Sequence, residues 1–215
     1  MKLRNMTRSG LIEYLERQVA HFFPDGVPVR NEIDIYLDDA LVRLGKCING
    51  VVLWEKETFD YLHSTQYAMF LYYLSNTIWQ QRGNESGVCT KLFLLNKALN
   101  GIDCFYEISM PEVFFIGHTV GIVLSKATYG EFLVLYQNST VGKNHGVAPV
   151  LEQGVIMYPN TAIIGRSHIA SGTVLGQGVS VVNQDTKMNN MVFQGVNGNL
   201  TFKPCGRNIL SDFFR

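Results

Sequence analysis

The chain of 215 residues predicts an α+β fold: an N-terminal α-helical domain followed by a left-handed parallel β-helix of hexapeptide repeats. Two observations carry this. Through the first hundred residues, apolar side chains recur at three- and four-residue spacing, with breaks where helices would stop. After about residue 105 a period of six takes over, with a large apolar residue and a small or β-branched one at linked positions. The expected divisions are a helical domain at 1–105, the β-helix at 106–200 with a loop at 142–149, and a tail at 201–215.

Four helices are expected. Gly10–Phe23 carries Leu11, Ile12, Leu15, Val19 and Phe22 at helical spacing and ends before Pro24-Asp25-Gly26. Asn31–Cys47 repeats the pattern with Ile33, Ile35, Leu37, Leu41 and Leu44. Thr58–Gln81 is longer, rich in aromatics, and stops at Arg82-Gly83-Asn84; Ser86–Leu99 stops at Asn100-Gly101. The polar residues of these helices read as solvated faces or structural contacts.

In the second half, Val123, Tyr129, Leu135 and Val141 are six apart. After a break, Leu151, Met157, Ile163, Ile169, Leu175 and Val181 resume the interval. Four places after these come Ala127, Leu133 and Ser139, then Val155, Thr161, Ser167, Thr173 and Val179. Each hexapeptide makes one short strand and one turn, and three make a triangular coil. The large residue fills the interior, the smaller one fits the tight corner, and stacked coils bury a continuous apolar column. A sandwich would show period two instead. Between Val141 and Leu151 the step is ten, so Gly142 to Pro149 leaves the coil as a loop. A loop on an otherwise regular coil is where a solenoid can build a binding site. This one carries Lys143 and His145.

Composition excludes several classes. Basic and acidic residues balance at 18 each with no Lys/Arg cluster, so no nucleic-acid or anionic-membrane surface is expected. The N-terminal stretch has no apolar run of the kind that directs secretion, and the longest apolar stretch, Tyr67–Leu74, is too short to span a bilayer. A soluble cytoplasmic protein is expected. Cys47, Cys89, Cys104 and Cys205 are scattered without metal-ligand spacing and read as free thiols; no metal is expected.

Of the five histidines, His21 and His63 read as structural or surface residues of the helical half, and His168 as a solvated turn residue of the repeat. His118 and His145 remain. His118 lies in Phe114-Phe115-Ile116-Gly117-His118-Thr119-Val120-Gly121, where the coil begins, and Gly121 lets another group approach. A β-helix has no nucleophile elbow, and this chain has no phosphate loop. Acyl transfer from a thioester needs only a base for the acceptor hydroxyl and donors for the oxyanion. An imidazole supplies the first and backbone N–H groups of a glycine-containing loop the second.

From Tyr61 to Val196 the chain resembles bacterial serine acetyltransferases. Tyr61-Leu62 through Trp79-Gln80-Gln81-Arg82-Gly83 resembles the helix before that family's coil, and His118-Thr119-Val120-Gly121-Ile122-Val123 resembles its catalytic His-Ala-Thr-Gly-Ile-Val segment. Leu135-Tyr136-Gln137-Asn138-Ser139-Thr140-Val141-Gly142 resembles the strand before its extended loop, and Phe193-Gln194-Gly195-Val196 the segment that closes its coil. The resemblance implies acetyl-CoA as donor and His118 as general base. It implies an acidic partner near the family's Asp-Ile-His-Pro, for which Glu107 of Glu107-Ile108-Ser109-Met110-Pro111 is the candidate. It also implies CoA in a groove between neighbouring subunits, near Gly142, Pro159, Thr161, Gly176 and Gln177, with Lys203 and Arg207 toward phosphate. A homotrimer or a dimer of trimers is implied with it.

The departures concern the acceptor. Gly117 stands where the family has Asp, and Val147-Ala148-Pro149 where it has Arg-His-Pro, with His145 three residues before Ala148. A zwitterionic amino acid needs a carboxylate for its ammonium and a cation for its carboxylate. Gly117, Lys143 and His145 are therefore the expected acceptor-side residues. Three functions follow: O-acetylation of a sugar of a surface polysaccharide or its precursor, genuine serine O-acetylation, and a non-catalytic trimeric scaffold.

Overall fold

The computed structural model describes residues 1–215. Strand β1 (Lys2–Leu3) leads into helices α1 (Arg8–Phe22) and α2 (Arg30–Gly50). Strand β2 (Thr58–Phe59) pairs in parallel with β1, and α3 (Ser64–Arg82) and α4 (Gly87–Asn100) complete the helical part. All four expected helices form. Helix α3 packs between α2 and α4 and is buried on nearly every side from Thr65 to Ile78, which accounts for its weak apolar periodicity. One boundary is corrected. Residues 58–63, read as the start of the third helix, form β2 and a turn. The N–H of Asp60 donates to Gln66 Oε1, the Asp60 carboxylate accepts from Leu62 N–H, and His63 caps α3 by accepting from the N–H of Gln66.

The coil follows as β3 (Ile102–Cys104), β4 (Phe114–Ile116), β5 (Ile122–Leu124), β6 (Thr128–Tyr129), β7 (Leu133–Leu135), β8 (Thr140–Gly142) and β9 (Val150–Leu151). It continues as β10 (Ile156–Met157), β11 (Ala162–Ile164), β12 (His168–Ile169), β13 (Val174–Leu175), β14 (Ser180–Val182), β15 (Asn190–Gln194) and β16 (Leu200–Pro204). Parallel pairing stacks these into three faces: β4-β7-β10-β13-β15, then β3-β5-β8-β11-β14, then β6-β9-β12. The second face thus opens at Ile102, ahead of the expected start, and β16 folds back antiparallel on β15.

The interior is the expected column. Leu135, Val141, Leu151, Met157, Ile163, Ile169, Leu175 and Val181 are all fully buried. The small corner residues satisfy their hydroxyls locally: Thr173 Oγ1 donates to the carbonyl of Ala170 at 2.6 Å, and Ser139 and Thr161 hydroxyls lie 3.4 Å apart.

The phase fails at one place. Val123, expected inside, is 44% exposed, whereas Ile122 and Leu124 on either side are buried. Register aligns Ile116 with Leu135 and Leu124 with Val141. Eight residues therefore carry the chain round the first corner, from Ile116 to Leu124, where the next coil uses six, from Leu135 to Val141. Gly117 aligns with Tyr136 and Gly121 with Asn138, so the two additional residues fall within His118-Thr119-Val120.

Beyond β16 the chain crosses back over the first face. Leu210 packs on Gly154, Phe213 meets the rings of Phe115 and Tyr136, and the N–H of Val52 donates to Phe213. Arg215 donates to the carbonyls of Asn49, Val52 and Trp54 near the C-terminal end of α2. This strap covers the first face and leaves the second and third open. No helix is long and apolar enough to cross a membrane.

Candidate active site

The enlarged corner holds His118 in solvent. A β-turn follows it directly: the N–H of Ile122 donates to Thr119 at 3.2 Å, and Gly121, third in the turn, has φ +75°. A Cβ on Gly121 would lie 2.1 Å from Asn138 Oδ1, so only glycine fits. The N–H of Gly121 also donates to the carbonyl of Gly101 at 2.9 Å, tying the turn to the end of α4. The N–H groups of His118, Thr119 and Val120 make no bond within the chain. The imidazole thus sits on a short anchored turn with uncommitted amide donors beside it.

Tyr136 explains the glycine before the histidine. A Cβ on Gly117 would stand 2.6 Å from Tyr136 Cε1, so the ring fills the space a side chain at 117 needs. The Tyr136 and His118 rings are 6.5 Å apart, edge to face. Tyr136 also stacks on Tyr158, 5.5 Å between centroids.

Glu107, the expected partner of His118, is not beside it within one copy of the chain. It forms a close ion pair with Lys126, beside Ala148 and Pro149, at the edge where the second face meets the third. His118 is at the opposite edge of that face. Strand β5 runs between them, three residues at about 3.3 Å each. An acid on the same face that sequence reasoning did not single out is Asp103. It points outward from β3, is register neighbour to Val123, and is held by Lys97 at 2.7 Å. Starting the coil at 106 hid the alternation of buried Ile102, half-buried Asp103 and buried Cys104 that marks it.

Lys143 and His145 lie on the far edge too. Asn144 and Val147 exchange both N–H···O bonds at 3.0 Å, with His145 and Gly146 at φ +47° and +80° between them. The expected loop is thus a two-residue hairpin of the type that needs positive φ at both central positions. The cofactor set divides likewise. Pro159, Gly176 and Gln177 continue the His118 corner on higher rungs, whereas Gly142 ends β8 at the hairpin edge. Gly176 is covered by Phe193, toward which a Cβ would come within 3.2 Å. Thr161 is corrected, because its side chain is turned into the interior column. The Lys203 ammonium lies 5.3 Å from the Phe193 ring and forms no ion pair, but Arg207 is engaged bidentately by Asp212. His168 sits on β12 rather than in a turn and contacts Glu152 at 2.8 Å. No three His, Cys, Asp or Glu side chains converge as a metal site.

These features define a class: a helical domain on a hexapeptide-repeat β-helix, with an exposed histidine on an enlarged corner. Solved serine acetyltransferases share its fold. The enzyme from Vibrio cholerae aligns with a TM-score of 0.70 at 18% identity, over 95% of this chain and 83% of that one. A serine acetyltransferase in complex with CoA gives 0.68 at 18%, over 89% and 84%. The Neisseria gonorrhoeae enzyme in complex with serine gives 0.65 at 17%, over 91% and 83%. At these identities the likeness is one of fold. No family model and no curated protein sequence matches the chain.

Proposed function

We propose that this protein is an acetyl-CoA-dependent O-acetyltransferase that acetylates a hydroxyl of a small polar acceptor, a sugar of a surface polysaccharide or its precursor. The observation that carries the reading is His118, exposed on a glycine-anchored turn with free amide donors, in a fold shared with a CoA-binding serine acetyltransferase. Acetyl-CoA, when bound, supplies the thioester carbonyl. His118 takes the proton of the acceptor hydroxyl as its oxygen bonds to that carbon. The N–H groups at 118–120 stabilise the oxyanion. As the C–S bond breaks, the imidazolium returns the proton to the sulfur, giving ester and free thiol. Pro159 and Gln177 line the approach on the His118 edge, Gly142 supports it from the other edge, and Lys203 is the cation for a phosphate.

Because these groups occupy two edges of one face, the complete site requires a second copy, in a homotrimer or a dimer of trimers, and we assign the protein to the cytoplasm. A sugar is favoured because the rungs beside His118 carry no carboxylate to hold the ammonium of a zwitterion. Serine acetylation is the second reading, favoured by the fold shared with an enzyme that binds serine. Thiol release from acetyl-CoA, measured with neutral sugars, nucleotide sugars and L-serine, separates the two. Release with serine alone overturns the sugar reading, and His118→Ala lowers turnover by about 10² to 10⁴ if the imidazole is the base. Unchanged turnover in that variant removes His118 from the chemistry, and no release with any acceptor leaves the scaffold reading.

A further inference from the structure

We infer that Tyr136, backed by Tyr158 and flanked by Gln137, is a shelf that binds the apolar face of a neutral pyranose and presents one of its hydroxyls to His118. The inference rests on the acetyl-transfer reading and specifies the acceptor contacts of that site. Three independent observations support it.

The first is the shelf itself. Tyr136 is half-buried, its ring lies over the bare backbone of Gly117, and it stands edge to face with His118. The hydroxyls of Tyr136 and Tyr158 make no hydrogen bond within the chain, although each ring is fixed by packing against a neighbour. A rigid aromatic face carries negative potential and attracts the polarised C–H bonds of a sugar ring, while its hydroxyl at the rim remains free for a polar contact.

The second is charge. The rungs of this corner read Gly117 to Gly121, Tyr136 to Ser139, Tyr158 to Thr161 and Gly176 to Val179. Apart from the imidazole, none of these side chains can carry a charge. Arg207, the cation near Tyr158, is bound bidentately by Asp212. A neutral polyhydroxyl ring loses no ion pairing on these rungs, whereas an ammonium would find no carboxylate on them and would carry the cost of desolvation unpaired.

The third is an unmet hydrogen bond. Gln137 aligns with the enlarged stretch His118-Thr119-Val120, and its side-chain Oε1 is buried without a partner. A buried acceptor without a donor is costly, and a turn of the Gln137 side chain that brings Oε1, closed to solvent here, to a ligand hydroxyl would satisfy it.

The test is saturation-transfer NMR on the full-length protein with neutral methyl gluco-, galacto- and mannopyranosides and L-serine, alongside the thiol-release assay. The expected result is transfer from aromatic protons to ring C–H protons of at least one pyranoside. Tyr136→Ala should abolish it and raise that acceptor's KM at least tenfold with the KM for acetyl-CoA unchanged. Tyr136→Phe should retain the transfer, and Gln137→Leu should weaken binding severalfold. Tyr136→Leu, which keeps the bulk over Gly117, controls for folding and should lose the sugar while melting like the parent. Pyranoside binding unaffected by Tyr136→Ala or Tyr136→Leu overturns the shelf. Thiol release with serine and no pyranoside binding also overturns the shelf and leaves acetyl transfer standing. Pyranoside binding at Tyr136 without thiol release supports the shelf and overturns the transfer reading instead.

Discussion

His118 was visible in the sequence because a reactive side chain interrupts an otherwise apolar, glycine-punctuated run. Tyr136 was not, because an aromatic next to a repeat position reads as packing until its ring is seen over Gly117. Glu107 was hard to place for a related reason: proximity in sequence to a motif does not say which edge of a prism a residue reaches, and Lys126 holds it at the hairpin edge, away from the His118 of its own copy. His168 shows the same limit, since period six cannot reveal that Glu152 stands one rung away. That contact supports a pH prediction. Hydrogen bonds from the Ser171 hydroxyl and N–H, then attraction to His168, hold the Glu152 carboxyl below its ordinary value of 4.5. A carboxyl depressed on folding stabilises the protein above its unfolded pKa, and this stabilisation is lost as pH falls through the lower folded value. Glu152→Gln should therefore flatten the fall in melting temperature from about pH 5 downward, relative to the parent. Parallel melting curves across that range would show that Glu152 makes no such contribution.

At the scale of elements, the helices and the coil were legible because each repeats one periodic signal many times over. The departures from period carried less signal. The ten-residue step at Val141 could be counted, but the eight-residue corner at His118 could not, because the five-residue step from Leu124 to Tyr129 after it leaves Val123, and not Leu124, six places before Tyr129. The mistake put Val123 inside the column and left Leu124 out. Two single substitutions test the corrected phase. Leu124 is 5% exposed, so Leu124→Ala should cost about 2–5 kcal/mol, the usual range for a truncated core leucine. Val123 faces solvent, so Val123→Ala should stay within about 0.5 kcal/mol. Denaturant unfolding of both variants reads the difference, and the reverse order would restore the original phase. The strap was also illegible: its strand and aromatic residues lack period, and its partners, Gly154 and the end of α2, are distant in sequence.

For the whole molecule, the arrangement across the second face matters most. Both edges carry expected site residues, His118 with Pro159 and Gln177 on one, Lys143 and His145 with Gly142 on the other, and a continuous sheet separates them. The strap already covers the first face, so the proposed ring would pack its neighbours on the second and third. The proposed shared site needs the hairpin of one copy to reach the His118 edge of the next across each interface of such a ring. This predicts complementation. One variant carries His118→Ala. The other replaces residues 143–149 with a short Gly-Ser turn, and each should be inactive alone. Unfolded together in equal amounts and refolded, they assemble at random. A site is complete where the hairpin variant supplies His118 and its neighbour supplies the hairpin, which happens at about a quarter of interfaces in a cyclic assembly. Thiol release should therefore recover to about a quarter of the parent's activity, and not when the two are refolded separately and then mixed. Activity near zero after co-refolding, with sedimentation confirming mixed oligomers, would mean that each copy builds its site alone. Full activity of the hairpin variant on its own would mean instead that the hairpin edge has no part in the reaction.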